Sequence, residues 1–124
     1  MSPDIERALR HGQLVDITTT GRRTGESRRL EIVFHVIDGR IYISGMPSRR
    51  KRAWLANLEA HPKLTLHLKS PVAADLPATA RPIVDPDERR RVLEVVARNW
   101  RRDDVDTMVE LSPLIEVTVD SLAA

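Results

Sequence analysis

The sequence predicts a mainly β fold, a small split β-barrel of about six antiparallel strands with helices packed outside it. Three observations support this prediction. Short segments of alternating apolar and polar residues recur along the chain, turn residues separate them, and the strand–helix–strand rhythm of a parallel sheet is absent. With 124 residues, the chain is expected to form one domain over residues 1–124.

The first half of the chain is predicted to contain one short helix and three strands. Ser2 and Pro3 are typical of a helix start, and the β-branched run that follows Gln13 ends at Gly21. A second strand is expected around Leu30 to Val36, where apolar residues alternate with others. Asp38-Gly39 then predicts a tight hairpin turn into a third strand at Ile41 to Ser44.

The second half is predicted to contain two longer helices, a helical turn and three more strands. The periodicity predicts a helix from Arg49 to His61 and another that begins near Asp85. Residues 103–111 are expected to form a further helical turn. Strands are expected at residues 64–68, 78–84 and 114–119, and residues 71–77 are expected to form a loop.

Composition excludes several classes of protein. The absence of cysteine rules out disulfides and thiolate chemistry, and the four histidines lack the spacing of a zinc motif, so we expect no metal site. No segment reaches the roughly 20 apolar residues that a membrane helix needs, and no signal peptide is evident, so a cytoplasmic protein is expected. No nucleophile lies beside a base, and the catalytic residues stay unknown. His35 and His67 are expected to face outward from their strands.

Positive charge is concentrated in the first half of the sequence. From Arg22 to Arg52, nine basic residues face three acidic ones, an excess of +6, although the whole chain carries only +2. This distribution predicts an anionic partner for that region, and a solvated arginine-rich surface is the alternative.

The loop between the first two strands has the residues of an anion site. Gly21 and Gly25 allow tight turns with exposed amides, and Arg22, Arg23 and Thr24 lie between them. Arginine can donate two hydrogen bonds to one phosphate. The loop therefore indicates phosphate binding, with a merely polar turn as the alternative.

A second basic cluster precedes the predicted helix, at Arg49, Arg50, Lys51 and Arg52. It is expected to converge with the first across the barrel mouth. Trp54 would either wall a ring system or belong to the core. Met46 and Pro47 would line a cofactor pocket or fill a gap.

Taken together, these segments resemble a known family. The chain resembles the F420 (deazaflavin)-dependent nitroreductase family of split-barrel oxidoreductases. The segments that carry the resemblance are Asp16 to Arg29, Gly39 to Gly45, Trp54 to Leu58 and the pair His61-Pro62. The resemblance implies coenzyme F420, a flavin-like cofactor whose tail carries phosphate and glutamates. It also implies hydride transfer to a small electron-poor acceptor such as a quinone, enone or nitro compound.

The resemblance implies a set of cofactor-binding residues and leaves alternatives open. The implied contacts are Arg22, Arg23, Thr24, Arg28, Gly45, Met46, Pro47, Arg49, Arg50, Lys51 and Trp54. An FMN- or other ring-binding barrel without turnover is the alternative function. A nucleic-acid-binding barrel is disfavoured, because the 3% aromatic content supplies few rings on which bases could stack. Split barrels often pair, so a homodimer is also expected.

Overall fold

The computed structural model describes residues 1–122 and shows a closed barrel of six antiparallel strands, which confirms the predicted fold class. The strands are β1 (Gln13–Thr20), β2 (Ser27–Ile37), β3 (Arg40–Ser44), β4 (Lys63–Leu68), β5 (Ala74–Pro82) and β6 (Leu114–Val119). The helices are α1 (Pro3–Ala8), α2 (Ala53–Ala60), α3 (Pro86–Asn99) and α4 (Val105–Leu111), and a 3-10 turn follows at Asp120–Leu122.

The barrel closes in the order β1-β2-β3-β6-β5-β4. Alternate residues of each strand point inward, so Val15, Ile17, Leu64 and Leu66 meet in an aliphatic core that is almost sealed from solvent. Closure leaves every strand paired on both sides, which removes the exposed edges that invite aggregation.

The hairpin between β2 and β3 forms as the sequence predicts. Asp38 and Gly39 both have positive φ, 53° and 75°, the conformation of a tight two-residue turn. Its register pairs Ile37 with Arg40 and Phe34 with Ile43, so β3 leads directly to the loop that precedes α2.

Helices α3 and α4 form a second apolar layer outside the barrel. Val92, Leu93 and Val96 of α3 and Met108 of α4 are fully or almost fully buried and pack with Tyr42 of β3. Asp85 caps α3 by accepting a hydrogen bond from the Glu88 N–H at 2.9 Å. This layer holds the joint between α4 and β6 close to the loop before α2.

Two boundaries differ most from the sequence prediction. Helix α2 begins at Ala53 rather than Arg49, because the backbone of Arg52 is extended. The Arg52 guanidinium donates a hydrogen bond to the Met46 carbonyl at 2.7 Å. Strand β5 begins at Ala74, inside the segment expected to be a loop. Proline is normally absent from the middle of a sheet, but here Pro77 is exposed on the outer wall while its neighbours Leu76 and Ala78 enter the core.

The two strand histidines lie on the outer face of the barrel, as predicted, yet neither is exposed. The ring of His35 packs edge-on against Trp100 with 5.1 Å between ring centroids. His67 lies 2.7 Å from both Thr18 Oγ1 and Asp75 Oδ1. Sequence alternation identified the correct face, but the layer that covers His35 comes from residues far along the chain.

Candidate functional site

The β1–β2 turn and the start of α2 enclose the first cleft, a cavity of about 470 Å³. Leu30 and Trp54 supply apolar surface, and the lining includes five arginines but no acidic residue. These arginines are Arg22, Arg23, Arg28, Arg29 and Arg52. A flat ring and an anionic group can both be accommodated by such a lining.

The turn between β1 and β2 is held by its own backbone hydrogen bonds. The Gly21 N–H donates to the Glu26 carbonyl at 2.7 Å, and the Gly25 N–H donates to the Gly21 carbonyl at 2.9 Å. Gly25 has a φ of 73°, which a residue with a side chain adopts only with strain. This compact turn presents Arg22, Arg23 and Thr24 to the cleft.

Asn57 locks the turn to α2. Its Oδ1 accepts from the Arg22 backbone N–H at 3.1 Å and from Arg22 Nη1 at 3.2 Å, and its Nδ2 donates to Thr19 Oγ1 at 3.2 Å. Asn57 is only 4% exposed, so these bonds form where water is largely excluded. The side chain of Arg22 therefore has a fixed starting direction toward the cleft.

The arginines of the first cleft differ in how far their charge is already neutralised. Arg29 pairs with Asp16 at 2.9 Å, and Arg28 pairs with Glu26 at 3.1 Å. Within residues 1–122, Arg22, Arg23 and Arg52 have no carboxylate partner. Hydrogen bonds from Lys69 and, to a smaller extent, from Arg29 hold the pKa of Asp16 below its ordinary value, so that acid stays ionised and keeps Arg29 occupied.

Arg52 gives the loop before α2 its shape. Its guanidinium lies against Gly45, where an added Cβ would come within 3.2 Å of Arg52 Nε and Cζ. The same added Cβ would lie 3.1 Å from Pro113 Cγ, so a side chain at position 45 would require Arg52 or Pro113 to shift by a few tenths of an ångström. Arg52 was counted in the basic cluster but left out of the predicted cofactor contacts.

A second cleft of about 380 Å³ lies on the other side of Arg52. Its walls are the loop before α2, the joint between β5 and α3, and the joint between α4 and β6. Arg49, Arg50 and Lys51 line it together with Arg52 and Arg89. A shallow surface that includes Arg22, Arg50 and Arg52 runs between the two clefts.

The predicted site residues therefore separate into three groups. Arg22, Arg23, Thr24, Arg28 and Trp54 line the first cleft, while Arg49, Arg50 and Lys51 line the second. Gly45, Met46 and Pro47 line neither of these two clefts. Met46 is 51% exposed, and its carbonyl accepts a hydrogen bond from the Arg52 guanidinium.

Trp54 belongs to the core and also lines a cleft, the two alternatives that the sequence left open. It is 8% exposed and packs in the barrel core, and one part of it lines the first cleft. Sequence reasoning missed Asn57, and it did not count Thr19 or Arg52 among the cofactor contacts. The available signal was a polar residue, Asn57, between the apolar positions Trp54 and Leu58 of one helix, since a buried amide needs partners.

Comparison with known proteins decides the family. The model of the F420H(2)-dependent quinone reductase family matches residues 3–121 of the sequence. The chain belongs to this family. It is therefore an F420-dependent oxidoreductase, and coenzyme F420 is its cofactor. No curated protein matches the sequence.

Solved structures support the split-barrel fold. A conserved hypothetical protein of Mycobacterium tuberculosis, Rv2991, is 19% identical with a TM-score of 0.74, and the match covers 97% of this chain and 81% of that one. The F420-H2 dependent reductase FDR-A is 20% identical with a TM-score of 0.61, over 85% and 93% of the two chains. A structure described as a domain-swapped dimer is 18% identical with a TM-score of 0.63, over 93% and 94%.

None of the helices in residues 1–122 has the length and apolar character needed to cross a bilayer.

Proposed function

We propose that the first cleft binds the phosphate of F420 and orients its deazaflavin ring for hydride transfer to a small electron-poor acceptor, a quinone, an enone or a nitro compound. One observation carries the proposal. Five arginines line this cleft with no acidic residue among them, and Arg22, Arg23 and Arg52 have no carboxylate partner in the described chain. A half-enclosed group of unpaired cations gains most from an anionic ligand.

The residues fit the cofactor in both charge and shape. Arg22, Arg23, Thr24 and Arg28 would hold the phosphate, because guanidinium groups and a hydroxyl are strong donors to its oxygens. Trp54 and Leu30 would contact the flat ring. The bound cofactor supplies a hydride, and the protein orients the acceptor and excludes water.

The cationic loop before α2 would continue the site. Lys51 and Arg52 border the shallow surface beside Arg22 and would meet the more distant anionic groups of the cofactor. Arg49 and Arg50, which the resemblance also implied as cofactor contacts, line the second cleft. Gly45, Met46 and Pro47, which the resemblance implied as contacts, would act by fixing Arg52.

A parallel titration tests the proposal. Purified protein is titrated with oxidised F420 and with FMN while fluorescence is followed, and reduced F420 is then mixed with a quinone, an enone and a nitro compound. We expect saturable F420 binding that weakens with added salt, and acceptor-dependent oxidation of the reduced cofactor. Preferential FMN binding would instead assign the barrel to FMN or another ring ligand.

We also propose that the protein pairs as a homodimer. Leu14 and Val33 are cross-strand partners on the outer wall of β1 and β2, and both are exposed, at 48% and 37%. Two neighbouring apolar side chains of this kind favour contact with a second copy. Sedimentation equilibrium of the wild type and of Leu14→Lys measures this: a dimer that dissociates in the variant is expected, and a monomeric wild type contradicts the proposal.

A further inference from the structure

The second cleft contains a cation that the protein does not neutralise. Arg89 of α3 donates to four main-chain carbonyls, at 2.9 Å to Ile83, 2.8 Å to Val109, 3.4 Å to Met108 and 2.6 Å to Ser112. No carboxylate of residues 1–122 forms an ion pair with it. Burial lowers the pKa of Arg89, in keeping with a charge removed from water without a counterion.

The opposite wall of the second cleft is also cationic. Arg49 and Arg50 are exposed and have no ion-pair partner in the described residues, whereas Lys51 is held by Glu59 at 2.7 Å. Five cations and two acids, Glu59 and Glu110, line the cleft, which leaves an excess of three positive charges. An anion bound there would face Arg89 on one side and the arginine pair on the other.

Ser112 adds a polar group without a partner. Its Oγ is buried and makes no hydrogen bond in the described structure, and the residue is 4% exposed at the edge of this cleft. Burying a hydroxyl without a partner is unfavourable. A ligand oxygen would satisfy it after rotation about the single Cα–Cβ bond of Ser112.

Apolar surface lies beside these charges. Leu55, Pro82, Val84 and Leu114 line the same cleft, and Val84 is 79% exposed. Arg52 borders both clefts, so a molecule in the second would lie next to a cofactor in the first. The cleft thus combines a surface for a ring with a site for an anionic substituent.

We propose that the second cleft is the acceptor site and that it selects aromatic or quinonoid acceptors that carry a carboxylate, sulfonate or similar anionic group. The inference rests on the proposed function. For a quinone acceptor, one hydride from the reduced cofactor and one proton from water convert it to the hydroquinone. The anionic substituent is unchanged and serves only for recognition by Arg49, Arg50 and the field of Arg89.

A binding experiment without cofactor tests the charge preference. Naphthalenesulfonate and the uncharged naphthalenemethanol, neither of which is a hydride acceptor, are titrated calorimetrically into wild type and Arg49→Ala/Arg50→Ala. We expect the double variant to bind the sulfonate about five- to tenfold more weakly, with unchanged binding of the neutral compound, since each exposed charge contributes modestly.

Two further variants serve as controls. Arg90→Ala/Arg91→Ala removes the same charge from the exposed face of α3, outside the cleft lining, and should leave sulfonate binding unchanged. Glu110→Gln removes an acid that makes no ion pair in residues 1–122 and should tighten sulfonate binding about twofold. Equal losses in the two arginine double variants, or no preference of wild type for the sulfonate, would overturn the proposal.

The anionic tail of F420 is the other possible occupant, and it has its own test. The affinity of Arg49→Ala/Arg50→Ala is measured for F420 and for the same cofactor lacking its glutamates. The proposal predicts that the affinity of the double variant changes by the same small factor for the two forms of the cofactor. A loss confined to the form with glutamates would assign the second cleft to the tail and overturn the acceptor site. Failure of wild type to bind F420 would contradict the proposed function instead, because the naphthalene titrations need no cofactor.

Discussion

Two arginine-rich regions of this barrel have opposite electrostatic character. On the wall formed by β3, β6 and β5, Arg40 and Arg81 meet Glu116, and Arg81 also binds Glu88 at 2.7 Å. Around the start of α2, Arg22, Arg23, Arg49 and Arg50 have no such partners in residues 1–122. The comparison shows that two groups of arginines on one barrel can differ in whether carboxylates neutralise them. The group without carboxylate partners is the one for which we propose an anionic ligand.

The largest effect is expected from removing two of the arginines that have no carboxylate partner. Arg22→Ala/Arg23→Ala should weaken F420 binding about 100-fold, because charge-assisted hydrogen bonds to the phosphate are lost. Folding should change little, since the backbone N–H of residue 22 still donates to Asn57. Fluorescence titration and thermal melting measure the two quantities. A large fall in melting temperature with unaltered affinity would make these arginines structural.

Trp54→Ala should affect stability as well as binding. Trp54 packs in the core, so its loss should lower the free energy of unfolding by about 3–5 kcal/mol. Because one part of the ring also lines the first cleft, affinity for F420 should fall in the folded fraction. Trp100→Ala is a control that removes a partly buried tryptophan outside the lining of the first cleft. Normal F420 affinity of folded Trp54→Ala protein would exclude a contact with the cofactor.

Asn57→Ala tests the link between fold and site. It removes the acceptor of two Arg22 bonds and the donor to Thr19, so the free energy of unfolding should fall by about 1–3 kcal/mol. F420 affinity should fall about tenfold, because Arg22 is no longer directed. Denaturant titration and fluorescence titration report the two effects. Reduced stability with unchanged affinity would show that the lock does not position Arg22.

The smallest effect concerns the paired wall. Arg81 lowers the pKa of Glu88, so the pair stabilises the fold above the ordinary pKa of a glutamate and is lost as the pH falls through the depressed value. Acidification should therefore cost wild type more stability than Arg81→Ala, by less than about 1 kcal/mol at this partly exposed pair. Denaturation at neutral and acid pH measures the difference, and F420 binding should be equal in both proteins. Identical pH profiles would contradict the assigned pairing.

The sequence was sufficient to predict the barrel, because inward-pointing aliphatic residues and the Asp38-Gly39 turn are local signals. It predicted the wrong start for β5, since Pro77 is normally a strand breaker, whereas in the structure Pro77 lies within β5 opposite Thr65 of β4. It also placed Arg49 in a helix, because the hydrogen bond from the Arg52 guanidinium to the Met46 carbonyl leaves no periodic signal in the sequence.

For the candidate site, the arginines and Trp54 could be identified from the sequence by their residue types and their spacing. Their division into two clefts was not, because it depends on how the α4–β6 joint lies against the loop before α2. Arg89 gave no signal at all in the sequence. Its position among four carbonyls is created by segments up to 23 residues away.

The central claim is that F420 is held by the unpaired arginines at the β1–β2 turn, and a crystal structure of the F420 complex tests it most directly. The account predicts the phosphate within hydrogen-bonding distance of Arg22, Arg23 or Thr24, with the ring against Trp54. A phosphate bound elsewhere, for example on the wall of Arg40 and Arg81, would contradict it.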